Sequence, residues 1–190
     1  SSTHNYILLF TDKGNVFWIK GYKIPDASRY SKGSNIVNML NLEKDEKISS
    51  MIPIKEFKEN EYLLMATKKG VLKKTACIEY SNPRKNGIIA INLRDNDRLV
   101  NVKLTDGKQK YIIATRNGLA VRFDESDARS IGRNATGVRG IRLSGNDEVI
   151  GLELATNDKD TLLTATENGY GKRTFIEDYR IIRRGGKGVI

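Results

Sequence analysis

Histidine, cysteine and tryptophan each occur once in these 190 residues, and proline three times. With His4 and Cys77 as the sole imidazole and thiol, a zinc site built from His or Cys ligands cannot form within one chain, nor can an intrachain disulfide. A Ser-His-Asp or Cys-His arrangement would have to recruit His4, around which nothing suggests a nucleophile elbow. The lone cysteine suits a reducing cytoplasm. No apolar run approaches the length of a membrane span, and the N-terminal stretch lacks a signal-peptide pattern. The segment TNDKDT (156–161) is too short for an EF-hand loop and lacks its glycine and glutamate. The carboxylate pairs Asp45/Glu46 and Asp147/Glu148 fall at matching turns and read as solvated turn residues, not as an acid and a base. The expectation is a chain without a catalytic site, metal or cofactor of its own.

Acid is also in the minority. Lys and Arg number 33 against 23 Asp and Glu, a net charge of +10. Residues 1–60 hold nine basic and seven acidic groups, whereas 61–190 hold 24 and 16, so the excess lies in the later two-thirds. That balance favours a polyanionic partner, nucleic acid first and an acidic membrane second. An amphipathic helix that would support membrane binding is lacking.

What the chain has in abundance is repetition. Four apolar runs close on Thr-x-x-Gly: YILLFTDKG, YLLMATKKG, YIIATRNG and TLLTATENG, with glycines at 14, 70, 118 and 169. A shorter run follows each: VFWIK, VLKKT, LAVRF and YGKRT. Two β-rich runs around a short glycine turn predict a hairpin. A loop then ends at Gly33, Gly87, Gly137 and Gly188, which lie 19, 17, 19 and 19 residues beyond the first glycine. Next comes a third run (IVNMLNL, IIAINL, VRGIRL and the short VI), then an acidic turn and a fourth run (KISSMIPI, RLVNVKLT, EVIGLELA). Four strands per unit of roughly 50 residues fit a propeller-like array. The predicted class is all-β, with units at about 1–60, 61–109, 110–159 and 160–190, the last incomplete.

The closing stretch IRRGGKGVI is therefore the fourth copy of the loop between second and third strands. It is not a phosphate-binding P-loop, which needs Ser or Thr after the Gly-Lys pair. The same loop carries cations in every unit: Arg29 and Lys32; Arg84 and Lys85; Arg133, with Arg139 just beyond; and Arg183, Arg184 and Lys187. Lys73, Lys74, Arg122, Lys172 and Arg173, at the ends of second strands, are placed beside them. One basic cluster per unit makes a periodic rim of positive charge, suited to duplex phosphates without base reading. The third loop departs from the pattern, with three acids against two bases between 124 and 137.

The stretches NYILLFTDKGNVFWIKGYKIPDASRYSKGSNIVNMLNLEKDEKI, ATGVRGIRL and TATENGYGKRT resemble the C-terminal domain of DNA gyrase A, of the type IIA topoisomerase family, over essentially the whole chain. The resemblance implies a β-pinwheel, a disc whose blades exchange strands with their neighbours. It further implies double-stranded DNA wrapped on the basic rim without sequence preference, in support of negative supercoiling. The implied partners are the rest of gyrase A and, through it, gyrase B, in the bacterial cytoplasm at the nucleoid. The catalytic tyrosine and ATPase of such an enzyme lie outside this chain. The family disc typically has six blades and this chain holds about four, so a fragment is expected. The family's seven-residue box, Gln-Arg-Arg-Gly-Gly-Lys-Gly, normally precedes the first blade. Here Arg183 to Gly188 reproduce six of its residues, with Ile182 in place of Gln, in the fourth loop. Two other readings remain: the homologous C-terminal DNA-binding domain of topoisomerase IV, and a propeller used as a protein-docking scaffold.

Overall fold

A computed structural model describes residues 3–190. The first unit contributes β1 (Tyr6–Thr11), β2 (Asn15–Lys20) and β3 (Ile48–Ile54). The second contributes β4 (Tyr62–Thr67), β5 (Val71–Ala76), the two-residue β6 (Ile88–Ile89) and β7 (Leu99–Thr105). The third contributes β8 (Lys110–Thr115), β9 (Ala120–Asp124), β10 (Val138–Arg139) and β11 (Val149–Leu154). The fourth contributes β12 (Thr161–Ala165) and β13 (Gly171–Phe175). Among the described residues the helical segments are short 3₁₀ turns, and no helix is long and apolar enough to cross a membrane.

Each hairpin turn rests on the same local chemistry. The glycine lies in the left-handed region, at φ +79° for Gly70, where other residues are strained. The threonine three residues earlier accepts the amide just past that glycine. Asn15 N donates to Thr11 Oγ1 at 3.2 Å, Val71 N to Thr67 Oγ1 at 3.1 Å, Leu119 N to Thr115 Oγ1 at 3.2 Å and Tyr170 N to Thr166 Oγ1 at 3.2 Å. Threonine in turn donates to the acidic turn: Thr11 Oγ1 to Glu46 Oε1 at 2.5 Å and Thr67 Oγ1 to Asp97 Oδ2 at 2.7 Å. Glu46, Asp97 and Asp147 are buried, which corrects the expectation that Glu46 and Asp147 are solvated. Their carboxylates lock one turn onto another, as when Asp97 Oδ1 accepts from Lys69 N at 2.8 Å and Asp147 Oδ1 from Asn117 N at 3.0 Å.

The sheets do not coincide with the sequence units. Their orders are β3-β1-β2-β6, β10-β5-β4-β7, β11-β8-β9 and β12-β13. Thus β6 of the second unit completes the first sheet, pairing Asn15 with Ile89 and Val16 with Ile88. Likewise β10 of the third unit pairs Val138 with Leu72 and Arg139 with Val71, and Val189 bridges to Ala120. The loop ending at Gly137 passes so close to β5 that a Cβ there would meet Leu72 O at 2.7 Å. In the first unit the expected third strand, IVNMLNL, is instead a 3₁₀ turn over Ile36–Asn38, and Leu40 packs with Leu9, Phe17 and Ile19 of its own unit. A two-residue strand needs hydrogen bonds from a neighbouring sheet edge, and that segment is in none of the described sheets.

Core forms between adjacent sheets. Leu8, Phe10 and Val16 of the first pack with Leu63, Met65, Leu99 and Val102 of the second. The opposite face of β4, Leu64 and Ala66, packs with Tyr111, Ile113, Val121 and Phe123 of the third. Period-2 alternation puts successive residues on opposite faces. A strand buried on both faces therefore reads as a continuous apolar run, as YLLMA does.

Candidate nucleic-acid interface

Three of the fourteen nominated cations are interior, a correction to their assignment to the rim: Lys73, Lys74 and Arg122 are 0%, 8% and 3% exposed. Their strands turn them into the gaps between sheets, where backbone carbonyls of the same and of the following unit accept from them. Lys73 Nζ donates to Ala90 O at 2.9 Å and to Arg133 O. Burial pushes its pKa down to about 8. Lys74 Nζ reaches Glu125 O at 3.3 Å and sits 3.7 Å from the fully buried Glu125 carboxylate. Arg122 donates to Ala155 O at 2.7 and 3.1 Å, to Ile176 O at 3.1 Å and to Tyr179 O at 3.4 Å, and it pairs with Asp158. That hydrogen bond from Arg122 holds the Asp158 carboxyl below its usual range.

Three inter-unit donors share a register that sequence reading missed. Trp18, Lys74 and Arg122 each stand four residues past a hairpin glycine. Each caps carbonyls of the 3₁₀ turn that opens the next unit's loop, since Trp18 Nε1 donates to Tyr80 O at 3.0 Å. One aromatic, one ammonium and one guanidinium thus perform the same inter-unit contact. The signal was a shared offset from the glycine, obscured because the three side chains have no chemistry in common except an N–H.

The other eleven nominated cations remain at the surface, and none forms an ion pair among the described residues. Some cations of the turns and outer strands are neutralised, although Lys44, Lys55, Lys69, Arg94 and Lys108 there are not ion-paired. Lys13, Lys68, Arg98, Lys103 and Arg116 are each paired with a carboxylate. Arg29 and Lys32 lie in the exposed loop of the first unit. Arg84 and Lys85 border a concavity that also includes Lys23 and Trp18. Arg133 and Arg184 hold equivalent posts. Arg133 Nη1 donates to Ile89 O at 2.6 Å and Arg184 Nη1 to Arg139 O at 3.1 Å, fixing each guanidinium against the strand that the loop follows. Arg139 and Arg184 border a second concavity, beside Gly185. Lys172 and Arg173 are exposed on β13, where Arg173 Nε and Nη2 both donate to Thr161 Oγ1, at 3.2 and 3.1 Å. Arg183 and Lys187 are exposed on either side of the Gly185-Gly186 pair.

A strand-exchanging, propeller-like array with unpaired cations in its inter-unit loops defines the class. The chain belongs to the family described as DNA gyrase C-terminal domain, beta-propeller, whose model matches residues 5–55, 61–106, 109–156 and 160–190. It is 49% identical over 190 residues to the A protein of DNA gyrase from Staphylococcus aureus strain NCTC 8325, covering 99% of this chain and 21% of that protein. The chain therefore spans about a fifth of the length of that relative. A crystal structure of the C-terminal domain of DNA topoisomerase IV superposes with a TM-score of 0.92 at 34% identity, covering 99% of this chain and 58% of the other. A DNA gyrase A C-terminal domain superposes at 0.83 with 28% identity, covering 100% and 60%.

Proposed function

We propose that this chain is a non-catalytic module that binds duplex DNA along the edge formed by its inter-unit loops, and bends and wraps it. The observation that carries the reading is that eleven of the fourteen nominated cations lie at the surface and none of the eleven is ion-paired among the described residues. Unpaired Arg and Lys spaced along a rigid edge can displace condensed counterions from phosphates without reading bases. Bending a site of 20–30 base pairs by 40–90° costs on the order of 1–6 kcal/mol, which several phosphate contacts offset. Family membership supports a role within a type IIA topoisomerase, joined to the rest of gyrase A and through it to gyrase B. The wrap would then favour negative supercoiling in the bacterial cytoplasm. The reading requires no cofactor or metal in this chain.

Assignment to topoisomerase IV is the second reading, favoured by the superposition at TM-score 0.92. The 49% identity to gyrase A weighs the other way. End-to-end energy transfer on a labelled duplex of about 100 base pairs, titrated across salt, tests the proposal; binding follows a log–log slope of about −0.9 per phosphate neutralised. Ends drawn together with steep salt dependence support wrapping. Binding without approach of the ends removes wrapping and leaves a DNA-holding module. Protein partners bound with little salt dependence, and no duplex binding, would favour a docking scaffold.

A further inference from the structure

The unpaired cations are unevenly distributed among the junctions. Between the second and third units lies a concavity of about 730 Å³ whose lining includes Lys69, Arg94, Arg139, Arg142 and Arg184 and no carboxylate. Its walls come from three places: the β4–β5 turn, the β6–β7 connection, and β10 with the segment after it, against which the fourth-unit loop is laid. Gly185 N donates to Gly140 O at 2.6 Å, and Arg142 N to Gly186 O at 2.8 Å, so that loop is fastened by backbone. Arg184 is held by Asp127 O at 2.7 Å and Arg139 O at 3.1 Å, and Lys69 Nζ by Asp95 O at 2.6 Å. Among the described residues no hydrogen bond or ion pair engages the guanidinium of Arg94, Arg139 or Arg142, although all three residues are exposed.

The junction one unit earlier lacks this character. Aligning Gly87 with Gly137 places Ile89 and Asn92 where Arg139 and Arg142 stand. Lys13, the counterpart of Lys69, is tied to Glu43 at 3.0 Å and to Lys44 O at 2.9 Å. A rim that merely repeated would repeat its charges.

Five cations around one hollow repel each other over distances within the Debye length of about 8 Å at physiological salt, and an entering anion relieves that repulsion. Three unengaged guanidinium forks match phosphate oxygens bidentately. We propose that this junction is a discrete site for two or three linked phosphate groups, supplied by a DNA backbone or by a free polyphosphate anion. As a DNA site it rests on the reading under Proposed function and makes this junction the anchor of the path.

The test uses the full chain, with Arg94→Gln/Arg142→Gln as the site variant and Lys55→Gln/Lys108→Gln, exposed and outside the loops, as a charge-matched control. Thermal melting of each checks that the exposed substitutions leave folding intact. Tripolyphosphate is titrated and followed by amide chemical shifts, and duplex affinity is measured between 50 and 200 mM salt. The expected result is saturable one-to-one tripolyphosphate binding, weakened at least tenfold in the site variant and unchanged in the control. For the duplex, raising the salt over that range should cost the wild type about tenfold more affinity than the site variant, as for two lost phosphate contacts. Equal losses in the two variants, or no saturable tripolyphosphate binding, would overturn the site while leaving duplex binding by the wild type to stand. Tripolyphosphate binding lost in the site variant, with no duplex binding at all, would keep the site and sink the DNA reading.

Discussion

Lys73 has no exposed surface, and its ammonium is met by the carbonyls of Ala90 and Arg133. Carbonyl dipoles satisfy its protons without cancelling its charge, so burial lowers the pKa from 10.5 to about 8, against a raising contribution from Glu79. With the folded-state pKa below the unfolded one, the unfolded chain binds the extra proton between about pH 8 and 10.5. The cost of burying the charge is thus fully present below pH 8 and is relieved as pH rises through that window. Urea unfolding of the wild type and Lys73→Met at pH 7.5, 9 and 10 should show the wild type gaining stability relative to the variant as pH rises. Parallel curves would mean that Lys73 reaches solvent. The charge of this residue was legible in VLKKT, but its burial was not. Two adjacent lysines on a strand face opposite sides, and only the packing of sheets on both sides turns both inward.

At the scale of the element, the buried donors explain how a chain of small hairpins holds its order. A hairpin alone is marginal in water, so each needs its neighbours. Lys74 supplies one tie by placing its ammonium between the Tyr62 ring, 5.3 Å away, and the Glu125 carboxylate. Glu125 also accepts from Thr105 Oγ1 at 2.6 Å, which joins β7 to the third unit. Removing one member of such a pair leaves a charge buried and uncompensated, at a cost of about 3–5 kcal/mol, whereas replacing both with apolar groups is far less damaging. Lys74→Met should accordingly destabilise by about that amount, and Lys74→Met/Glu125→Met should recover a large part of it in denaturant unfolding. Additive losses would show that the two act independently. The hairpins themselves were readable, because Thr-x-x-Gly encodes its own turn. The tie was not, because its acceptors lie 51 residues away in sequence.

At the scale of the whole chain, burial and pairing differ between the second and fourth units. Strands β4 and β5 are buried almost throughout, while β12 and β13 are mostly exposed, including Leu163 at 68% and Phe175 at 53%. Among the described residues β12 and β13 pair only with each other; Leu162 of β12 packs on the cluster of Ile112, Ala120 and Ile176, and Arg122 ties the turn after β13 through Ile176 O and Tyr179 O. Opening free energy follows local packing. Amide hydrogen exchange should therefore be fastest across 161–175 and slowest in β4 and β5, and Arg122→Met should accelerate exchange in the former without reaching the latter. Uniform protection would show that the sheets open as one body.

Read without coordinates, the amino-acid order determines the hairpins, the period, the all-β class and the excess of positive charge. Each of these depends on residues within a few positions of one another, or on a simple sum. Tertiary structure alone decided which sheet each third strand joins and which cations face solvent. Strand exchange depends on which sheet edge offers unpaired carbonyls and amides. The fate of a lysine depends on what packs over it, as with Lys73 and Lys74 inside and Lys172 outside. The five-cation junction is of the same kind, since Lys69, Arg94, Arg142 and Arg184 come from four separate stretches of chain and meet because sheets stack. Charge along a sequence is a count; the field it makes depends on where folding puts it.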